Sequence, residues 1–228
     1  MTGNKTVIVT GGSQGIGAAI VQAFLGRGYN VVATARAISK AEFKSSPNLA
    51  LVDGDIGQFA TAEKVTQTAI SNFGSIDHLV NNAGIFATKP FTDYTPDEFR
   101  QFVSTNLEGY IFVTQLAVKQ MLKQGTGGSV AAITTALVAN PQAGVPVSIP
   151  MVTKGYAKQH IRFNAVAPGI VDTPLHTNDP VDFLKTLSPM GTITDSKDIA
   201  DAVVYLAEAT HITGEVLHVD DGAHVGRW

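Results

Sequence analysis

The amino-acid sequence predicts one α/β domain built on a parallel sheet of about seven strands with helices on both faces. Short runs rich in β-branched residues alternate with longer stretches of helical composition along the 228 residues. A glycine-rich segment at 10–17 joins the first run to the first helical stretch. Since no linker-like or charge-biased stretch divides the chain, we expect residues 1–228 to form a single domain.

Short apolar runs are the predicted strands. In chain order they lie at residues 5–9, 30–35, 49–52, 78–81, 129–135, 162–167 and 215–219. Because helical stretches separate most of these runs, parallel pairing through crossover helices is favoured over hairpins. Such a doubly wound sheet binds its ligands at the carboxyl ends of the strands.

The helical stretches are recognised by composition and apolar spacing. They lie at 18–25, 60–73 and 196–208, and a longer one begins near residue 95. Thr95 is a candidate N-cap of this longer helix, because Pro96 suits the first helical position and Glu98 would complete a capping box.

The motif TGGSQGIG at 10–17 predicts a phosphate-binding loop between a strand and a helix, as in a Rossmann-type dinucleotide-binding domain. Its glycines allow a sharp turn and a close approach of the backbone to a ligand. The free N–H groups of the first helical turn and the positive end of the helix dipole favour a pyrophosphate there. A plain glycine turn without a ligand is the alternative. The predicted contacts are Gly11, Ser13, Gln14, Gly15, Ile16 and Gly17.

Residues at the ends of the second and third strands indicate the cofactor. Where an acidic residue would hold a ribose 2′-hydroxyl, the sequence has Ala35 and then Arg36. A cation favours a 2′-phosphate, so we predict NADP(H), with NAD(H) still possible; the alternative is a solvated arginine. After the third strand, Asp55 and Ile56 are predicted cofactor contacts; Asp55 can accept a hydrogen bond from an adenine amino group or, alternatively, cap the following helix.

Composition excludes several kinds of site and partner. The net charge of −3 and the pI of about 6.0 give no electrostatic reason to expect nucleic acid or an anionic membrane. The absence of cysteine excludes disulfides, thiolate catalysis and cysteine-bound metal, and the histidines show no metal-like spacing with carboxylates. Without a signal-like or membrane-spanning apolar segment, we expect a cytoplasmic protein.

Three motifs make the sequence similar to the classical short-chain dehydrogenases/reductases. TGGSQGIG at 10–17, NNAG at 81–84 and PGIVDTP at 168–174 occur in that family's order and near its usual spacing. The resemblance covers essentially the whole chain and implies hydride transfer between NADP(H) and a small carbonyl or alcohol, in a homodimer or homotetramer. It also implies cofactor contacts, with Asn81, Ala83 and Gly84 at the adenosine ribose, Pro168 and Gly169 beside the cofactor, and Ile170 and Thr173 at the nicotinamide carboxamide.

The chemistry of that family uses an Asn-Ser-Tyr-Lys tetrad, and the resemblance assigns three of its positions to Asn106, Thr135 and Lys154. Asn106 would support a water-linked proton path, with a purely structural amide as the alternative. The Thr135 hydroxyl can donate and accept as serine does and would orient the carbonyl, unless it is an ordinary strand residue. Lys154 would bind the nicotinamide ribose; the alternative is an exposed helical lysine.

The sequence departs from the family at three places. Pro150 stands where the catalytic tyrosine belongs, and none of the 5 tyrosines has a lysine four positions later. Only ten positions separate Lys154 from Asn164, about a dozen fewer than in the family, where the lysine opens a long helix. The helix after Gly155 is therefore shortened, or a segment is missing from this sequence. Asp221 replaces a glycine in the family's C-terminal Asp-Gly-Gly.

Two functional hypotheses follow from the motifs and the departures. The first is an NADP(H)-dependent oxidoreductase whose proton comes from water or substrate, since Pro150 has no ionisable group. The second is a catalytically impaired protein that senses or sequesters NADP(H). By resemblance, the segment 176–187 would form a substrate lid, and His176 within it is expected to be a surface histidine rather than a catalytic one.

Overall fold

Seven parallel strands form the sheet in the computed structural model, which describes residues 4–87, 89–136 and 156–225. The strands are β1 (Thr6–Thr10), β2 (Asn30–Ala35), β3 (Leu49–Asp53), β4 (His78–Asn81), β5 (Gly128–Ile133), β6 (Ile161–Pro168) and β7 (Val216–Val219). Their order across the sheet is β3-β2-β1-β4-β5-β6-β7, and every neighbouring pair is parallel. The direction of winding reverses between β1 and β4, and in such sheets the crevice at this reversal is where ligands bind.

Helices cover both faces of the sheet, which confirms the predicted doubly wound α/β fold. They are α1 (Gly15–Gly26), α2 (Phe59–Phe73), α3 (Pro96–Phe102), α4 (Gly109–Gln124), α5 (Val181–Thr186) and α6 (Ser196–Glu208). Helices α1 and α6 share one apolar cluster with the sheet, whereas α2 and α4 pack in a second cluster on the other face. Along β1, Val7 and Val9 belong to the first cluster and Ile8 to the second, because successive strand side chains point to opposite faces.

Most predicted elements lie within three residues of the observed ones, but two differences affect the site. Strand β5 ends before Thr134 and Thr135, and the Thr134 N–H group and hydroxyl both donate to the Val166 carbonyl, at 2.8 and 3.1 Å. The helix predicted to start near Thr95 has the expected capping box. It is then interrupted by a π-helical segment, Val103–Glu108, between α3 and α4.

Pro150, Lys154 and Gly155, which the sequence singled out, lie outside the described residues. The described chain resumes at Tyr156 and enters β6 through a short 3-10 turn, Ala157–Gln159. The single domain and the shortened helix therefore stay predictions. Within the described part of the chain, none of the helices combines the length and apolar composition needed to cross a membrane.

Candidate functional site

A cavity of about 450 Å³ lies at the carboxyl ends of β1, β4, β5 and β6. Its walls are formed by segments that are distant in sequence, which the parallel sheet brings to one edge. The predicted site residues that line it are Gly11, Gln14, Gly15, Ile16, Gly17, Ile56, Asn81, Ala83, Gly84, Asn106, Thr135, Pro168, Gly169, Ile170 and Thr173. The structure thus gathers most of the predicted residues in one place, while their roles remain predictions.

The glycine loop between β1 and α1 fits an anion at the helix N-terminus. Gln14, the N-cap of α1, makes no side-chain hydrogen bond to the first turn, and that turn contains no acidic residue. Gly11 has a φ of +65°, and a Cβ built on it would lie 2.8 Å from the Cα of Ala83. A Cβ on Gly17 would overlap the carbonyl oxygen of Gly11. Because glycine fits where side chains do not, the loop leaves its N–H groups accessible to a phosphate.

Thr10 and Asn82 join the ends of β1 and β4 next to this loop. The Asn82 side-chain amide donates to the carbonyl oxygens of Thr10 and Gly11, both at 3.0 Å. In return, the Thr10 hydroxyl accepts from the N–H groups of Asn82 at 3.1 Å and Ala83 at 3.0 Å. Both residues belong to the motifs at 10–17 and 81–84, but sequence reasoning did not predict that they bond to each other.

Asn106 uses both functions of its amide to hold the segment that follows β4. Its Oδ1 accepts from the Ile85 N–H group at 2.9 Å, and its Nδ2 donates to the Ile85 carbonyl at 3.0 Å. Asn81 makes a similar link, because its Nδ2 donates to Thr114 Oγ1 on α4 at 3.0 Å. These bonds match the structural alternative for Asn106, and its part in a proton path stays a prediction.

Three predicted cofactor residues, Ser13, Arg36 and Asp55, do not line the cavity. Arg36 is exposed just beyond β2. The Asp55 Oδ1 accepts from the Gly57 N–H group at 3.0 Å, whereas the N-cap of α2 is Gln58. The capping alternative for Asp55 is therefore wrong, because its side chain stabilises the turn before the helix.

An acidic residue does lie at this edge of the sheet, on β3 rather than β2. Asp53 is in register with Ala35, and its carboxylate accepts from the Ser39 hydroxyl at 2.6 Å and N–H group at 2.8 Å. These bonds hold the pKa of Asp53 below its usual range. The carboxylate is thus engaged by the protein itself. Sequence reasoning missed Asp53 because its neighbour across the sheet depends on strand register.

Two titratable side chains line the cavity within the described chain, Tyr110 on α4 and His176 after β6. Burial raises the pKa of Tyr110 to about 12. The His176 Nδ1 lies 2.7 Å from the Asp179 Oδ2, and the histidine side chain is 20% exposed. The 3-10 turn Pro174–His176 brings this partly exposed histidine to the cavity wall, and the expectation that it is a surface histidine rather than a catalytic one stays a prediction. Sequence reasoning did not assign Tyr110 to the site.

Comparisons with known proteins match this chain over nearly its whole length. A family model described as enoyl-(acyl carrier protein) reductase matches residues 11–224. L-rhamnose-1-dehydrogenase of Scheffersomyces stipitis is 32% identical over 255 aligned positions that cover 99% of both proteins, so that relative contains residues without a counterpart among the 228 here. For 3alpha-hydroxysteroid dehydrogenase of Mediterraneibacter gnavus, the identity is 34% and 98% of each protein is covered. The solved structure of ElxO with NADP bound has a TM-score of 0.86 and 26% identity, covering 96% of this chain and 98% of that one.

Proposed function

This chain belongs to the short-chain dehydrogenase/reductase family, and from that premise we propose that it is an NADP(H)-dependent oxidoreductase acting on a small carbonyl or alcohol. The observation that carries the proposal is the cavity, which connects the glycine loop with Asn106 and Thr135. A bound nicotinamide supplies or accepts the hydride. The protein's part is to bind the cofactor, orient the carbonyl and handle the proton.

The residues around the cavity would divide these tasks by position. The N–H groups at the start of α1 would hold the pyrophosphate, because no side chain of Gln14 competes for them. Ile170 and Thr173 would hold the nicotinamide carboxamide. The Thr135 hydroxyl, just beyond β5, would donate a hydrogen bond to the carbonyl oxygen and stabilise the charge that develops there. Lys154, outside the described residues, would bind the nicotinamide ribose.

Turnover tests the proposal directly. NADPH oxidation is followed with a panel of ketones, aldehydes and quinones, and NADP+ reduction with L-rhamnose and 3-hydroxysteroids, which the names of the relatives suggest. We expect turnover on at least one substrate and a lower kcat for Thr135→Val. Thr134→Val is the matched control, because the Thr134 hydroxyl is committed to the Val166 carbonyl. Absence of turnover on the whole panel would contradict the proposal.

Within this function we propose a preference for NADP(H) over NAD(H). Arg36 is an exposed cation beyond β2, and the carboxylate in register with Ala35 is engaged by Ser39. Both features favour a 2′-phosphate over a 2′-hydroxyl, because a guanidinium pairs with phosphate and a free carboxylate would pair with the hydroxyl.

Arg36→Ala should weaken NADPH binding by about tenfold or more and leave NADH binding nearly unchanged, because the lost charge-assisted bond involves only the phosphate. Fluorescence titration of both cofactors measures this. Lys119→Ala, which removes an exposed cation from α4, is the control for net charge. Equal effects of Arg36→Ala on the two cofactors would show that Arg36 does not read the phosphate.

Pro150 favours a second candidate function, a pseudo-enzyme that senses or sequesters NADP(H). Proline cannot transfer a proton, and it occupies the position of the family's catalytic tyrosine. Tight NADPH binding without turnover on any substrate, and without turnover in Pro150→Tyr, would support this second function over the first.

A further inference from the structure

The proposed reaction needs a group that gives a proton to the carbonyl oxygen, and Pro150 leaves the usual position without one. Within the described chain, the cavity wall contains two titratable side chains, Tyr110 and His176. One of these two residues is therefore the natural candidate for the acid–base group of this chain.

Tyr110 is poorly suited to the task. Its position on α4 buries the phenol, and this burial raises the pKa of Tyr110 to about 12. Efficient general acids and bases have a pKa near the working pH, because they must both give up and regain the proton readily. A phenol with so high a pKa holds its proton firmly in the direction of alcohol oxidation, where a base is required.

His176 has the geometry of an oriented acid–base group. Its Nδ1 lies 2.7 Å from the Asp179 Oδ2. Because a carboxylate oxygen accepts a hydrogen bond, Nδ1 carries the proton in this pair, and Nε2 is the nitrogen that remains for a substrate. The 20% exposure of the side chain lets it exchange protons with solvent.

The backbone around His176 fixes the pair beside the cofactor loop. The His176 N–H group donates to the Thr173 carbonyl at 3.0 Å, and the Asp179 N–H group donates to the His176 carbonyl at 3.0 Å. Thr173 in turn lies against the glycine loop, since a Cβ built on Gly15 would come within 3.2 Å of its side chain. The histidine is therefore held on a turn that contacts the predicted pyrophosphate site.

We propose that His176, oriented by Asp179, is the acid–base residue of this oxidoreductase, an inference that rests on the proposed function. During reduction, the bound nicotinamide would supply a hydride to the carbonyl carbon, and the electron pair of the C=O π bond would take the Nε2 proton of the His176 imidazolium, which carries a proton on each ring nitrogen and keeps the one on Nδ1 beside Asp179. The products are the alcohol and the oxidised cofactor, and the neutral imidazole regains its proton from solvent. During oxidation, Nε2 accepts the hydroxyl proton as the hydride leaves.

Substitution of the two candidates separates them. His176→Gln, which keeps a polar side chain of similar reach, should lower kcat by about 100- to 10,000-fold, because that is the usual contribution of a positioned acid–base group. NADPH binding, measured by fluorescence, should be retained. His211→Gln, which changes an exposed histidine away from the cavity, is the matched control and should retain activity, whereas Tyr110→Phe tests the other candidate and should lower kcat much less than His176→Gln. Added imidazole should restore part of the activity of His176→Ala and none to a Thr135→Val variant.

Asp179 acts as a positioning residue, and its role has a readout that does not depend on turnover. Heteronuclear NMR of the imidazole nitrogens, assigned through His176→Gln, should show the Nδ1–H tautomer of neutral His176 in the wild-type protein. Asp179→Asn should abolish this tautomer preference and lower kcat. Asp179→Glu, which keeps a carboxylate, should retain part of the tautomer preference and part of the activity.

The possible outcomes distinguish this inference from the function on which it rests. Full activity of His176→Gln, or loss of activity in Tyr110→Phe alone, would overturn the inference while leaving the oxidoreductase intact. An Nε2–H tautomer in the wild-type protein would also overturn it. NADPH binding without any wild-type turnover would reject the proposed function itself, and the acid–base role with it.

Discussion

At position 221, an aspartate adopts a backbone conformation that favours glycine. Asp221 has a φ of +55°, in the left-handed region, where a Cβ is strained. Its Oδ2 accepts from the Ser188 hydroxyl at 3.1 Å and the Thr192 hydroxyl at 2.9 Å. These bonds connect the C-terminal segment with the chain after α5, which gives a physical reason for an aspartate where the family has glycine.

Asp221→Ala should lower the free energy of unfolding by about 2 kcal/mol, because it removes the oxygen that accepts from both hydroxyls and keeps the strained Cβ. Asp221→Asn is the control, since asparagine tolerates a positive φ and keeps one acceptor oxygen. Urea denaturation of the three proteins measures the difference. An equal decrease in the free energy of unfolding for the two variants would show that the hydrogen bonds from Ser188 and Thr192 do not contribute to stability.

His78, the first residue of β4, is a buried histidine with a structural role. Its Nδ1 lies 2.8 Å from the Ser129 hydroxyl, and its ring stacks on Phe24 with a centroid distance of 6.3 Å. Burial, with a smaller contribution in the same direction from the charge of Lys5, lowers the pKa of His78 to about 4. The folded protein thus requires a neutral imidazole at this position.

Between pH 6.5, the ordinary histidine pKa, and pH 4, the unfolded chain therefore binds a proton at His78 that the folded chain does not. The free energy of unfolding should fall as the pH is lowered through this window, by up to about 3 kcal/mol. Denaturation at a series of pH values measures how steeply the free energy of unfolding changes with pH, and His78→Gln should make this change smaller. The Glu98 carboxylate, whose pKa is lowered to about 2 mainly by Lys89, acts in a separate window below pH 4.5. An unchanged slope in His78→Gln would assign the effect to other groups.

How far single residues could be predicted depended on whether their role was local. Gly11 and Gly17 were predictable, because a motif between a strand and a helix already defines their surroundings. The bonds of Asp53 and Asn82 were not, because their partners, Ser39 for Asp53 and the Thr10 and Gly11 carbonyls for Asn82, are distant in sequence and are brought close only by the fold. The place of His176 on the cavity wall was not predictable, because it depends on a turn that only the folded chain reveals.

The π-helical segment Val103–Glu108 is the element that shapes one wall of the cavity. It carries Asn106 and is followed at once by Gly109, the first residue of α4. A Cβ built on Gly109 would lie 2.8 Å from the Ile56 Cγ2. The wide turn and this close contact hold α4 against the loop after β3, and π-helical turns are often found at functional sites.

Gly109→Ala should lower the free energy of unfolding by about 1–3 kcal/mol and weaken NADPH binding, because the added methyl group displaces Ile56 in the cavity wall. Gly26→Ala is the matched control. No atom lies within 4 Å of its added Cβ, so it should stabilise α1 by up to about 1 kcal/mol. Thermal denaturation and cofactor titration measure the two effects. Unchanged stability and NADPH binding in Gly109→Ala would show that Ile56 moves aside without cost.

The periodicity of apolar residues predicted the existence of helices and strands more accurately than the positions of their ends. The capping box at Thr95 and Glu98 was predictable, since all its parts lie within four residues. The interruption after Phe102 and the early end of β5 were not, because both depend on contacts with distant segments. For the same reason, Thr135 was assigned to a strand that ends before it.

In the whole molecule, two apolar clusters share a single sheet. Val7 and Val9 of β1 belong to the cluster under α1 and α6, and Ile8 between them belongs to the cluster under α2 and α4. Loss of either helical layer would therefore expose strands on which the other layer packs. The sheet couples the two halves of the chain.

Unfolding in urea should accordingly be a single transition, with coincident curves from circular dichroism and fluorescence, as expected for one cooperative domain. NADPH should shift the midpoint upward, because it binds only the folded state. Two resolved transitions would show that the chain is not a single folding unit.

The connection from β5 to β6 is the part of the chain that is shortened relative to the family, and we propose that a segment after Gly155 is missing from this sequence. These strands are parallel neighbours, so the chain between them must return to the opposite edge of the sheet. An intact mass near 24.0 kDa would support a shortened helix after Gly155. A mass larger by about 1.3 kDa would reveal a missing segment of about a dozen residues. We expect a homodimer or homotetramer, which light scattering of the purified protein measures.

The contact between Thr173 and Gly15 has a consequence for engineering this protein. The turn that carries His176 rests on the same glycine loop that is proposed to hold the pyrophosphate. A change in the backbone of this turn would therefore alter cofactor retention and substrate selectivity together. We expect variants for new substrates to be better sought at Phe86 or Phe102, which line the cavity but belong to neither the glycine loop nor this turn.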